Sequence, residues 1–316
     1  MLCSGVRGQE RARASFQSAL ASGRISHAYL LVGPPGVGKR RFAEELAAAL
    51  ICRDGEEDHG GDRGACGGCR ACRLLESGNH PGCTVLDPPG GKAIEIDRVR
   101  EVIEALSIKG RGRRVLIVDG ADRLTFPAAN AVLKTLEEPP PGVVFLLVSS
   151  RPAHLLKTIH SRCQRVPFFP VREDELAAVI EGIGGGSGTI PAGELHRLAG
   201  GSSGRALRLE SGIADCGGLE RFRELLRGRG SERPETLIAY LAELPKEGKR
   251  PRVRRLLELV LDGLWGARGD DPAAREACAR RSLRVAELLG DLEGNQNPEL
   301  TLEALARILR STAPIS

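Results

Sequence analysis

Apolar and polar positions divide the chain into two halves of different character. In the first half, short apolar runs alternate with amphipathic stretches. Ala28–Val32 is a compact apolar run that ends at Gly33. Val37–Leu50 then carries Phe42, Leu46, Ala49 and Leu50 at helical spacing. Cys83–Leu86 reads as a short strand, and Asp97–Leu106 places Val99, Val102, Ile103 and Leu106 on one helical stripe. Val115–Val118 and Val143–Val148 are unbroken apolar runs of the kind found in parallel strands buried on both faces. Ala128–Glu137 between them is helical and stops at Pro139-Pro140-Pro141. Strand and helix in alternation predict a doubly wound α/β domain.

The pattern changes near Pro167–Pro170, beyond which there is almost no strand signal. Glu173–Ile180, Glu194–Leu198 and Gly204–Leu209 read as short helices, with a glycine-rich stretch at Gly182–Gly188. From Leu219 onward the chain is amphipathic helix: Leu219–Leu226, Pro234–Leu244, Val253–Leu264, Arg275–Leu289 and Pro298–Leu309. Proline and glycine punctuate the joints. The expected organisation is an α/β domain over 1–166 with a cysteine-bearing insertion near 52–78, a small helical domain over 167–211, and a helical bundle over 212–316.

Composition narrows the function. The 46 basic residues exceed the 41 acidic by 5, a small surplus for 316 residues and no signature of a nucleic-acid binder by itself. Aromatic residues are 3% of the chain, too few for a base-stacking platform to be its main activity. No run is long and apolar enough for a membrane span, and the first residues lack the apolar core of a secretory signal. A cytoplasmic chain is the expectation, in which nine cysteines do not read as a disulfide framework.

Gly33-Pro34-Pro35-Gly36-Val37-Gly38-Lys39 fits the phosphate-binding pattern G-x-x-x-x-G-K. It follows a predicted strand and opens a predicted helix, where inward-turned backbone N–H groups and the helix dipole favour phosphate. Lys39 would reach the terminal phosphates. Arg40 stands where the pattern wants a Ser or Thr hydroxyl for Mg²⁺. Asp119, at the end of the Val115–Val118 run, is a carboxylate suited to Mg²⁺, yet Gly120 follows where a water-activating Glu is needed. Asp122 is the nearby carboxylate that would have to substitute. The loop is shaped for ATP or ADP but lacks the groups that hydrolyse ATP.

Cys66-x2-Cys69-x2-Cys72, preceded by Cys52, offers four thiolates on a glycine-rich segment, the donor set of a closed tetrahedral Zn²⁺ site. Gly64, Gly67 and Gly68 permit a tight knuckle. The run also resembles the start of a ferredoxin motif, but that pattern wants a further Cys followed by Pro, and position 76 is Glu. Cys83 is an alternative fourth ligand that instead reads as the start of a strand. With four protein ligands the metal would be structural.

Several stretches together resemble the bacterial DNA polymerase III clamp-loader family of AAA+ proteins. Ile25-Ser26-His27-Ala28-Tyr29-Leu30-Leu31 precedes the phosphate loop as in that family. The run from Asn130 to Pro140, N-A-V-L-K-T-L-E-E-P-P, is very similar to its helix after Walker B, and Ser161-Arg162-Cys163 is its S-R-C motif. The likeness covers about residues 1–210. The defects at Arg40 and Gly120 look like the delta-prime branch. The resemblance implies an α/β AAA+ domain with a zinc module, a helical lid and an all-α collar. It implies that Arg162 is an arginine finger offered in trans to the γ-phosphate of a neighbouring gamma/tau ATPase. It further implies assembly with gamma/tau and delta subunits within the DNA-directed DNA polymerase III holoenzyme, and action on a sliding clamp and primer-template DNA. Ser149 or Ser150 takes the sensor 1 position, and Arg205 the sensor 2 position. Gly33, Gly36, Gly38, Lys39, Asp119 and Arg205 then make up a degenerate nucleotide site.

Overall fold

The computed structural model describes residues 5–52, 64–88, 92–107, 112–182, 190–215, 218–226, 249–266, 272–294 and 296–310. The helix expected over Pro234–Leu244, and Cys3, His59 and Cys216, lie outside the described residues. The chain divides into two compact units, 1–170 and 171–316.

The first unit is built on five parallel strands: β1 (Ala28–Val32), β2 (Cys83–Leu86), β3 (Arg114–Asp119), β4 (Val143–Ser149) and β5 (Gln164–Pro167). Their order across the sheet is β2-β3-β4-β1-β5. Helices α1 (Glu10–Ala21), α2 (Lys39–Ile51), α3 (Arg70–Glu76), α4 (Ile96–Ser107), α5 (Phe126–Glu137) and α6 (Lys157–Arg162) surround it. Alternate strand residues serve two separate cores, as the two-residue period of a strand requires. Leu31, Ile117, Leu146 and Val166 join Phe16 of α1 and Phe42 of α2 on one face. Leu30, Leu116, Phe145 and Leu147 join Val99 of α4, Val132 of α5 and Ile159 of α6 on the other. Phe16, Tyr29, Phe42 and Phe168, in tilted and edge-on contact, tie α1, β1, α2 and the exit of β5 together, with ring centroids of contacting pairs 4.6 to 5.5 Å apart.

The strands read from apolar runs are where they were expected, and β5, α1 and α3 are additions. β5 is exposed at three of its four positions, so it shows no apolar run. Its place at the sheet edge comes from pairing with β1. The expected boundary at 166/167 falls inside β5, and the unit runs on to Pro170.

In the second unit the described residues form α7 (Glu173–Gly182), α8 (Ala192–Ala199), α9 (Ser203–Asp215), α10 (Leu219–Leu226), α11 (Lys249–Gly266), α12 (Pro272–Glu293) and α13 (Pro298–Arg310), with no strand among them. One apolar cluster spans them, from Val171 and Leu176 through Phe222 and Leu257 to Leu305 and Leu309. No helix of the described residues is long and apolar enough to cross a membrane.

Candidate functional site

The sheet order puts the carboxyl ends of β3, β4 and β1 side by side, the place where open parallel sheets hold ligands. The loop after β1 turns through Gly36 and Gly38, both with left-handed backbone at φ 76° and 93°, a conformation in which a Cβ is strained. Gly33 is needed for space: a Cβ there would collide with the carbonyl oxygen of Phe168 beyond β5.

Lys39 is buried, and its ammonium donates to the carbonyl oxygens of Gly33 at 2.7 Å and Pro34 at 2.6 Å and to Ser150 Oγ at 3.0 Å. Burial pulls its pKa down to about 8, against the attraction of Asp119 and Asp122. Arg40 turns its guanidinium onto Asp119, with Nη1 3.0 Å from Oδ2, while Nε donates to Glu44 at 2.5 Å. Burial opposes that charge, but Glu44 and Asp119 outweigh it and hold the pKa above its ordinary value. The carboxylate suited to Mg²⁺ is thus already ion-paired, and the residue after Lys39 brings a cation where a hydroxyl ligand would be needed. This set of side chains does not fit a magnesium ion.

Asp122 is committed elsewhere. Its Oδ1 accepts from Ser149 Oγ at 2.6 Å and from the Ser150 N–H at 3.1 Å. Burial raises its pKa, but these hydrogen bonds prevail and hold it below the ordinary value. It fastens the end of β4 to the turn after β3. Gly120 adopts left-handed backbone at φ 71°, so a Glu there would carry backbone strain as well.

Arg162 is the last residue of α6, and its side chain is 35% exposed. Nη2 pairs with Glu137 Oε1 at 2.7 Å, and Nη1 donates to the Thr158 carbonyl at 3.2 Å and to Ser161 Oγ at 3.3 Å. Glu137 was not singled out in the sequence; its place at the end of α5 three residues before Pro140 gave no sign of a partner 25 positions away.

The sulfurs of Cys52, Cys66, Cys69 and Cys72 all lie within 4.8 Å of one another, and Cys83, at the start of β2, is not among them. Cys52 and Cys69 are 3.9 Å apart, as are Cys66 and Cys72. Four sulfurs around one zinc at ~2.3 Å would sit ~3.8 Å apart. Backbone N–H groups point at the sulfurs, among them Cys66 N at Cys52, Cys69 N at Cys66, and Cys72 N at Cys69, at 3.5, 3.3 and 3.4 Å. Such donors favour thiolate. The Cys69 and Gly68 N–H groups bring Cys66 down to about 7, while burial pushes Cys72 up to about 12. Gly67, at φ 74°, makes the knuckle turn. The donor set, spacing and N–H cradle fit a structural Zn²⁺.

Residues 8–172, which hold the Gly33–Lys39 loop, the four clustered cysteines and Arg162, match the model of the family described as DNA polymerase III, delta subunit. The chain belongs to that family. It is 45% identical over 141 residues to DNA polymerase III subunit delta' of Pseudomonas aeruginosa, covering 44% of this chain and 42% of that one. It is 34% identical over 165 residues to DNA polymerase III subunit tau of Bacillus subtilis, covering 52% of this chain and 28% of that one. The matches thus span less than half the length of these relatives. A gamma subunit-related protein of DNA polymerase III from Thermotoga maritima aligns over 93% of this chain and 98% of its own at 20% identity, with a TM-score of 0.49.

Arg205 lies beyond the residues that the family model matches. It is buried in the second unit, where Nε meets Asp262 Oδ1 at 2.9 Å, Nη1 donates to the Ala199 carbonyl at 3.3 Å, and the guanidinium carbon sits 4.1 Å from the centre of the Trp265 ring. Arg208 shares the same Asp262, at 2.9 Å. These contacts join α8, α9 and α11 and were not legible in the sequence, because Asp262 is 57 residues away.

Proposed function

We propose that this chain is the delta-prime subunit of a DNA polymerase III clamp loader, an AAA+ subunit that hydrolyses no ATP itself and presents Arg162 in trans to ATP held by a neighbouring gamma/tau subunit. The observation that carries this reading is the Arg40–Asp119 ion pair, 3.0 Å long, at the place of the magnesium. With its own loop closed to the metal, Arg162 would serve ATP hydrolysis only by reaching another subunit's phosphate. There it would stabilise the charge that develops on the transferred phosphoryl group. The four cysteines hold a structural zinc. Residues 167–211 act as lid and 212–316 as collar, through which the chain joins gamma/tau and delta. The assembly then opens a sliding clamp on primer-template DNA.

The competing reading, a gamma/tau-like motor, draws on the similarity to tau. One experiment separates them: ATP hydrolysis by the chain alone and by the complex reconstituted with its gamma/tau and delta subunits, clamp and primed DNA. The chain alone should be at background. Arg162→Ala should assemble normally and lower the stimulated rate by roughly tenfold or more, with little effect on ATP affinity. Arg162→Lys should recover little, because an ammonium lacks the planar fork. Motor-like turnover by the chain alone, abolished by Lys39→Ala, would overturn the proposal, and so would an unchanged rate with Arg162→Ala.

A further inference from the structure

We infer that Glu137 is the positioning residue for Arg162: it fixes the guanidinium so that a two-pronged edge faces out of the subunit toward an anionic phosphoryl group. The inference rests on the reading of Arg162 given above.

Glu137 is the last residue of α5 and Glu138 follows it. A carboxylate at a helix carboxyl end faces the negative end of the helix dipole and is disfavoured there unless a cation answers it. Arg162 answers it at 2.7 Å. Arg162 is itself the last residue of α6, where its charge is favoured.

Stability does not account for the pair. The two side chains are 35% and 45% exposed, and ion pairs so open to water contribute little to folding. What the contact supplies is orientation. Nη1 is held by the Thr158 carbonyl and Ser161 Oγ, and Nη2 by Glu137, so three acceptors restrain one planar group from two sides. Nε–H has no acceptor among the described residues, and Nε and Nη2 share an edge through which a guanidinium can grip a phosphate by two parallel hydrogen bonds. A flexible arginine would have to be ordered at the moment of reaction; this one is ordered beforehand, which is the condition under which an electrostatic group acts at full effect.

The reaction needs the assembled complex, so the test uses it. Glu137→Ala and Glu137→Gln are each placed in a reconstituted loader, alone and together with Arg162→Ala, and ATP hydrolysis is measured with clamp and primed DNA. Size-exclusion chromatography verifies assembly. The expected result is a fall in kcat of about tenfold for Glu137→Ala, with KM for ATP within about twofold, since positioning acts on the transition state. Glu137→Gln, which keeps the shape and loses the charge, should fall between wild type and Glu137→Ala, and it carries the test should Glu137→Ala fail to assemble. In the Arg162→Ala background either change at 137 should have no further effect.

An unchanged kcat, or a raised one, would overturn the inference; a raised rate would make Glu137 a restraint on the arginine. An equal loss with and without Arg162 would overturn it as well, because Glu137 would then act through something else. Loss of neither rate nor assembly with Arg162→Ala would remove the arginine-finger reading itself, a failure distinct from these.

Discussion

Lys39 and Arg40 are adjacent cations with opposite fates, decided by what each can reach. Lys39 points inward, is buried, and has its ammonium held by two carbonyls and a hydroxyl. Its pKa of about 8 means that the folded chain releases this proton earlier than the unfolded chain, where lysine keeps its ordinary value near 10.5. Below pH 8 both states are protonated and the stability contribution is flat. Between about 8 and 10.5 the unfolded state binds more protons, so stability contributed at this position rises with pH. Wild type should therefore gain stability relative to Lys39→Met on going from about pH 7 to about pH 10 in urea unfolding. Identical pH dependence of the two proteins would show that Lys39 is not buried as described. Arg40 is half-exposed, engaged by Asp119 and Glu44, and keeps its charge throughout.

At the level of elements, the α3 knuckle combines two roles in one residue. Cys69 lies in the sulfur cluster and is also the N-cap of α3, its sulfur accepting from the Cys72 N–H. A helix of seven residues is marginal by itself, so the segment depends on what anchors it. Serine is a good N-cap but a poor zinc ligand. Cys69→Ser therefore separates the roles: it should drop zinc well below one equivalent by metal analysis, while the cap remains available. Far-UV circular dichroism should change little, because the aromatic cluster of Phe16, Tyr29, Phe42 and Phe168 is built from α1, β1, α2 and the exit of β5. Retention of a full equivalent would sink the zinc assignment. The cysteine spacing made this cluster readable in advance, since Cys66, Cys69 and Cys72 are local to one another. α3 itself was missed: it is too short to show a periodic stripe, and only Cys72 on it is fully buried. α1 was missed for a related reason, its buried face being just Ala12, Phe16 and Leu20 among small and polar residues.

At the scale of the whole molecule, each compact unit has its own apolar core. That of the first is split by the sheet into two faces, and that of the second is a single cluster of helices. The sulfur cluster lies entirely in the first unit. Residues 1–170 expressed alone should therefore unfold cooperatively and carry about one zinc, as seen by thermal melting and metal analysis. A fragment that is unfolded, or folded without zinc, would mean that the core described for this unit does not suffice.

The chain's pattern alone determined the strands β1 to β4, the helices α2, α4 and α5, the helical character of the described second half, the glycine-rich turn before Lys39 with Arg40 and Gly120 beside it, and the cysteine quartet. Each is a local signal: an apolar run, a helical stripe, a glycine spacing or a pair of close cysteines. The tertiary structure decided which charges meet. Arg40 with Asp119, Asp122 with Ser149, Glu137 with Arg162 and Arg205 with Asp262 are separated by 79, 27, 25 and 57 positions. An ionic contact has no sequence period, because it forms wherever the chain path brings two side chains together. The sheet order did that for the first two by setting the ends of β3, β4 and β1 next to one another. The sequence could therefore show that a magnesium ligand was missing, and the fold alone could show that a guanidinium stands on the carboxylate that remains.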